Sequence, residues 1–225
     1  VDAWFHERLQ AYADTVQCPV MEDPRQVEKW EKLYEANPEN TLASLRLLRI
    51  YRQHNPEKAL ALAEALTRRA QKLSDQGNAG AGDRAFALAG VIGAGAALRG
   101  NAPDKAARLS KLTLLVDPGN AHAEYFLGLV EIQKGNRAAA AQRLESAIRL
   151  YPRFVHETPL GNPYQALVKL RLDQGDRAGA AEVLEAYCGI HADDAEALRK
   201  LAELYGALGQ TEKAIATYRR LVGID

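Results

Sequence analysis

Residues 195–225 read AEALRKLAELYGALGQTEKAIATYRRLVGID, and residues 121–152 read AHAEYFLGLVEIQKGNRAAAAQRLESAIRLYP. Each is a pair of helical patterns joined at a glycine, Gly209 in the first and Gly135 in the second. Between them, residues 162–190 (NPYQALVKLRLDQGDRAGAAEVLEAYCGI) repeat the arrangement around Gly175, 34 positions before Gly209. A small residue follows each glycine by five positions (Ala140, Ala180, Ala214), and a large one comes four later (Leu144, Leu184, Tyr218). Glycine permits the positive φ that closes a first helix. Alanine lets the second helix approach closely, and the large residue one turn on fills the space beside it. Pro118 and Pro152 end second helices, because proline cannot continue one.

The same grammar extends towards the N-terminus in weaker form. Asn37-Pro38 ends a helix carrying Val27, Trp30, Leu33 and Tyr34, and Thr41 to Gln53 then presents Leu45, Leu48 and Tyr51 on one face. Pro56 opens a long helix to about Ser74, since proline suits a first turn. SDQGNAGAGD, residues 74–83, reads as a connector, and Phe86–Leu98 with Ala106–Val116 makes a further pair. Asp2 to Thr15 reads as the first half of a degenerate leading repeat. No strand-like alternation of useful length occurs.

The 34-residue period with this pattern resembles the tetratricopeptide repeat. Leu127-Gly128 and Leu201-Ala202 match its Leu-Gly step, and Tyr205 matches its first-helix tyrosine. In the copy at 161–194, Arg171 stands in place of that tyrosine and Tyr187 in place of an alanine. The expectation is an all-α fold: one right-handed superhelical solenoid over 1–225, of about six helix–turn–helix repeats. Their bounds are about 2–40, 41–74, 84–120, 121–154, 161–194 and 195–225, with a linker at 75–83 and an inserted loop at 155–160.

Composition narrows the function. Lys plus Arg and Asp plus Glu both number 29, and this formal neutrality argues against a nucleic-acid partner, which selects a basic excess. No apolar run is long enough to span a bilayer. Cys18 and Cys188 lie several repeats apart, too far for a disulfide, and free thiols lean towards a reducing compartment. His6, His54, His122, His156 and His191 are scattered, with no pair at metal-binding helical spacing. Gly90, Gly93 and Gly95 have the wrong order for a dinucleotide fingerprint and follow no strand, so close helix packing is their expected role. No enzymatic activity, metal or cofactor is therefore expected.

The resemblance implies that first-helix positions 2, 5, 9, 12 and 13 face a groove that binds an extended peptide or helix of a partner protein. Those positions include Leu45, Arg49 and Arg52 in one repeat, and His122, Tyr125, Leu129 and Ile132 in another. They also include Lys169 and Leu172 in the repeat after that. Arg46 joins Arg49 and Arg52 in a ridge at helical spacing, suited to carboxylates. Tyr125, Leu129 and Ile132 form an apolar stripe on the face expected to be wet. The chaperone-binding members of the family use a Lys and Asn clamp, and here Leu45 and Arg49 occupy those places.

The expected role is a scaffold or adaptor for another protein. The alternative is an accessory domain of a larger enzyme or membrane-anchored assembly, of the export, envelope or cytochrome-maturation kind that the resemblance suggests. The chain opens Val1-Asp2-Ala3 without a Met, which leaves a removed signal, a membrane tether or another domain all open. It stops at Asp225 without a polar cap, so either a longer array or a second copy of the chain is expected to cover the last repeat. The compartment, bacterial cytoplasm or periplasm, stays open.

Overall fold

A computed structural model describes residues 26–75, 83–151 and 161–223. The helix expected at 2–15, Cys18, the central part of the linker and the loop at 155–160 lie outside the described residues. Among the described residues the chain is helical throughout. The helices are α1 (Val27–Ala36), α2 (Thr41–His54), α3 (Pro56–Asp75), α4 (Asp83–Arg99), α5 (Pro103–Val116) and α6 (Ala121–Gln133). They continue with α7 (Arg137–Leu150), α8 (Pro163–Asp173), α9 (Arg177–Ile190), α10 (Ala195–Ala207) and α11 (Thr211–Val222). Among the described residues the all-α helix–turn–helix reading holds, and the helices expected from residue 27 onward are found within a few residues of their bounds.

The turn glycines behave as their spacing requires. Gly135, Gly175 and Gly209 have φ of 77°, 78° and 72°. At each, the next backbone N–H reaches back five residues to a carbonyl of the first helix: Asn136 to Glu131, Asp176 to Arg171 and Gln210 to Tyr205. This closure satisfies carbonyls that a helix end leaves without partners. In the repeat built from α4 and α5, Asn101 takes the left-handed position (φ 53°) and Ala102 N–H bonds the Ala97 carbonyl in the same way. Asparagine tolerates this region better than most residues, so a turn without a glycine there is no exception to the repeat.

The chain divides into two compact units, residues 1–126 and 127–225, with the boundary inside α6. In the first unit α2 packs on α1, α3 and α4, and α4 packs on α3 and α5. Its core gathers Leu47, Leu48, Leu62, Leu66, Phe86 and Ile92, with Trp30, Tyr34 and Tyr51 packed against it. The glycine-rich helix α4 sits at the centre. A Cβ on Gly90 would lie 2.2 Å from Thr113 Oγ1 of α5, and one on Gly93 would lie 2.4 Å from Ala63 Cβ of α3. Gly95 faces the Phe126 ring of α6, 3.3 Å from where its Cβ would be. The glycines let three neighbouring helices come close to α4.

In the second unit α7, α8, α9, α10 and α11 pack each on the next. Ala140, Ala180 and Ala214, the small residues read after each turn, are all buried, as are Leu144 and Leu184. A Cβ on Gly128 would lie 2.9 Å from Leu144, which is why the Leu-Gly step of that repeat carries its glycine. Tyr218, expected to fill space, is largely exposed on the final helix together with Ile215 and Val222.

Candidate protein-binding surface

The ten residues expected in the groove separate into three environments. Tyr125 is 0% exposed, and Leu45 and Arg49 are buried as well. Tyr125 therefore does not belong to a wet apolar stripe: it is core, its ring 5.5 Å from that of Phe126. The physical reason is that α6 (AHAEYFLGLVEIQ) is covered around most of its circumference, with Ala123, Phe126, Leu127 and Val130 buried too. The arginine ridge does not stand in solvent as one row either. Arg46 lies over the Trp30 ring at 6.0 Å, a cation–π distance, and Arg49 is 6% exposed. Arg52 is half-buried.

His122 is half-buried, and burial together with the nearby Arg52 charge pushes its pKa down to about 4. Its imidazole is neutral at physiological pH.

What remains on the surface is a smaller set in the second unit. Ile132 is 36% exposed and Leu172 is 41% exposed, and the two occupy the same place in successive first helices, near the ends of α6 and α8. Leu129 is half-buried one turn before Ile132, and Lys169 is exposed one turn before Leu172. On α10 the exposed Glu196, Arg199 and Glu203 continue the first-helix series with charge.

The two departures from the repeat pattern both find partners between helices. Arg171 on α8 donates to Glu145 Oε1 of α7 and to Asp176 Oδ2 at the start of α9, each at 2.8 Å. The Gly179 N–H and then Arg171 hold the Asp176 carboxyl below its usual range. Tyr187 lies 5.3 Å from the Tyr164 ring and 4.5 Å from the His191 ring. Its hydroxyl donates to Asp194 Oδ2 at 2.9 Å, while Asp194 Oδ1 accepts the Ala197 N–H as the cap of α10. One carboxylate thus fixes a buried tyrosine of one repeat to the helix start of the next.

Asp194→Ala is expected to lower stability by about 2 kcal/mol, adding the loss of a cap to a buried hydroxyl deprived of its acceptor. Asp194→Asn should retain most of it. Urea unfolding followed by circular dichroism measures both, and an Ala variant as stable as wild type would refute the shared role.

Cys188 is buried and not in a disulfide, and burial raises its thiol pKa to about 11, so the reactive thiolate is suppressed. Arg220 of α11 donates to the Cys188 carbonyl at 3.0 Å. Among the described residues no His, Cys, Asp and Glu side chains are grouped to hold a metal ion. No helix there is long and apolar enough to cross a membrane.

Residues 171–225 match the tetratricopeptide repeat family model. That C-terminal stretch carries the tetratricopeptide repeat signature. Over 108 residues it is 30% identical to the protein CTR9 homolog of Arabidopsis thaliana, a match taking in 48% of this chain and 10% of that protein. The chain therefore spans only a small part of that relative's length.

Among solved structures the repeats resemble BtubC (BKLC) from P. vanneervenii, with a TM-score of 0.62 at 20% identity over 89% of this chain and 87% of that one. They also resemble MamA from Desulfovibrio magneticus RS-1, with a TM-score of 0.56 at 13% identity over 88% and 94% of the two chains. YrrB, described as a tetratricopeptide repeat protein with an unusual peptide-binding site, gives a TM-score of 0.54 at 18% identity over 88% and 93%. At these identities the likeness is one of fold. It extends the repeat architecture well upstream of residue 171, in keeping with the helix–turn–helix pairs of the first unit.

Proposed function

We propose that this chain is a non-enzymatic adaptor that binds an extended peptide or helix of a partner protein on its first helices. The observation that carries the reading is the pair Ile132 and Leu172, large apolar side chains left in solvent at one register of two successive first helices. Scattered exposed apolar residues are ordinary. Two at the same repeat position make a periodic surface, which a partner with apolar side chains at matching intervals can engage. Leu129 lies beside this pair, and the neighbouring Lys169 supplies charge at its rim. The same-fold protein YrrB, described as having a peptide-binding site, is consistent with such a role.

Peptides selected from a random display library on the whole chain test the reading. Enriched sequences are expected to carry apolar residues, and the double variant Ile132→Asp, Leu172→Asp is expected to weaken them about tenfold or more, as removal of central apolar anchors does. Undiminished binding would remove these residues from the site. The exposed positions should leave the fold intact, which circular dichroism checks.

A further inference from the structure

Helix α11 has two apolar faces, and only one of them is covered. Ala214 and Thr217 are buried and Leu221 is half-buried, on the side that packs on α10. Roughly a quarter turn round the helix stand Ile215, Tyr218 and Val222, spaced by three and four so that they form one stripe. They are 47%, 43% and 73% exposed. The same register is occupied on α9. Ala181, Leu184 and Cys188 stand 34 positions earlier, and they are 3%, 6% and 0% exposed, with α10 packed on α9. A second helix at this register is therefore shaped to receive another helix.

Charge selects which helix fits. Glu212 and Arg219 are both exposed and lie seven residues apart, so they share the flank of the stripe that points away from the buried side. A parallel partner of the same sequence would set Glu212 against Glu212 and Arg219 against Arg219. An antiparallel one sets Ile215 opposite Tyr218 of the second copy, and it brings Glu212 against Arg219 of the second copy. Two-fold symmetry makes each of these contacts twice.

We propose that α11 is a self-association surface that pairs antiparallel with α11 of a second copy of this chain. The apolar stripes form the seam, and the Glu212 and Arg219 pairs at its edge fix its direction. This goes beyond the adaptor reading and does not rest on it, because Ile132 and Leu172 lie on other helices. A helix of 12 residues is only about 18 Å long. Such a seam buries less than the roughly 1,200 Å² of a stable complex, so the dimer is weak, with a Kd on the order of 100 µM.

Sedimentation equilibrium of the whole chain from about 10 µM to about 1 mM tests the pairing, a range chosen to bracket that Kd. A monomer–dimer equilibrium is expected. Ile215→Asp with Tyr218→Asp should weaken it about tenfold or more, as loss of central apolar anchors does. Glu212→Arg alone, or Arg219→Glu alone, sets like charges together at both edges and should weaken the dimer about fivefold. The double variant Glu212→Arg, Arg219→Glu should recover the wild-type Kd. A mixture of the two single variants should associate more tightly than either alone. All these positions are exposed, and circular dichroism checks that the fold is kept.

A monomer at every concentration would overturn the proposal and leave the stripe to a helix of another protein. Growth beyond a dimer would overturn it too, since it requires a head-to-tail contact. So would a dimer indifferent to the Ile215 and Tyr218 substitutions, which would lie elsewhere on the chain. Failure of the double charge variant to recover what each single one loses would rule out the antiparallel direction. The adaptor reading fails separately, through the Ile132 and Leu172 double variant and its selected peptides.

Discussion

Replacing Tyr125 by alanine is expected to destabilise the protein by about 3–5 kcal/mol, the range for deleting a buried aromatic ring. The side chain is 0% exposed on a helix whose neighbouring positions are buried as well, so little room exists for the surroundings to collapse into the cavity. Its ring also stacks beside that of Phe126 at 5.5 Å, and the substitution removes this aromatic pairing too. Domains of this kind are stable by only about 5–15 kcal/mol in total. With a urea dependence of about 1–3 kcal/mol per molar, the midpoint should fall by about 1 M or more. Tyr218→Ala, on an exposed part of α11, should stay within about 0.5 kcal/mol of wild type. The measurement separates core from groove directly. A Tyr125→Ala chain with an unchanged urea midpoint and no remaining peptide binding would return Tyr125 to the binding surface.

Tyr125 is legible in the sequence as important but not as core, and the reason lies in α6 itself. AHAEYFLGLVEIQ is apolar almost all round, so its periodicity cannot say which face is covered. The repeat register places Tyr125 on the groove side, yet the structure leaves only the end of the helix, around Ile132, in solvent. Arg49 misleads for a related reason. A charged residue at helical spacing reads as a solvated face, but its long apolar stem can be buried along neighbouring side chains, and it is 6% exposed.

Turn chemistry, by contrast, is readable because it is local. Gly135, Gly175 and Gly209 each need a backbone that few other residues adopt, and their positive φ values follow. Asn101 yields to the same logic, since asparagine is the usual substitute, but without a glycine the repeat signal weakens. The Arg99 contact escapes a reading of spacings because its acceptor, the Arg52 carbonyl, lies 47 positions away in sequence. No spacing rule within one repeat joins those two residues.

The glycines of α4 carry the other large effect. Gly93→Val is expected to destabilise the first unit by about 3 kcal/mol, the upper part of the range for forcing added atoms into a packed core. The first added carbon already falls 2.4 Å from Ala63 Cβ and 3.0 Å from Leu109 Cδ1. Ala63 has no side-chain torsion with which to move away, so α3 as a whole must retreat. Gly93→Ala meets the same obstacle with fewer atoms, and its gain of about 1 kcal/mol in helix propensity offsets part of the strain.

Gly189 on α9 provides the opposite case, since nothing lies within 4 Å of a Cβ there. Gly189→Ala should therefore stabilise by up to about 1 kcal/mol, with propensity acting alone. A pair of urea curves thus has opposite predicted signs for two glycines inside helices. A Gly93→Val protein as stable as wild type would mean that α3 and α4 are not in the close approach that the glycine permits. A fall in stability at Gly93 with a rise at Gly189 would assign the glycines of α4 to packing rather than to flexibility.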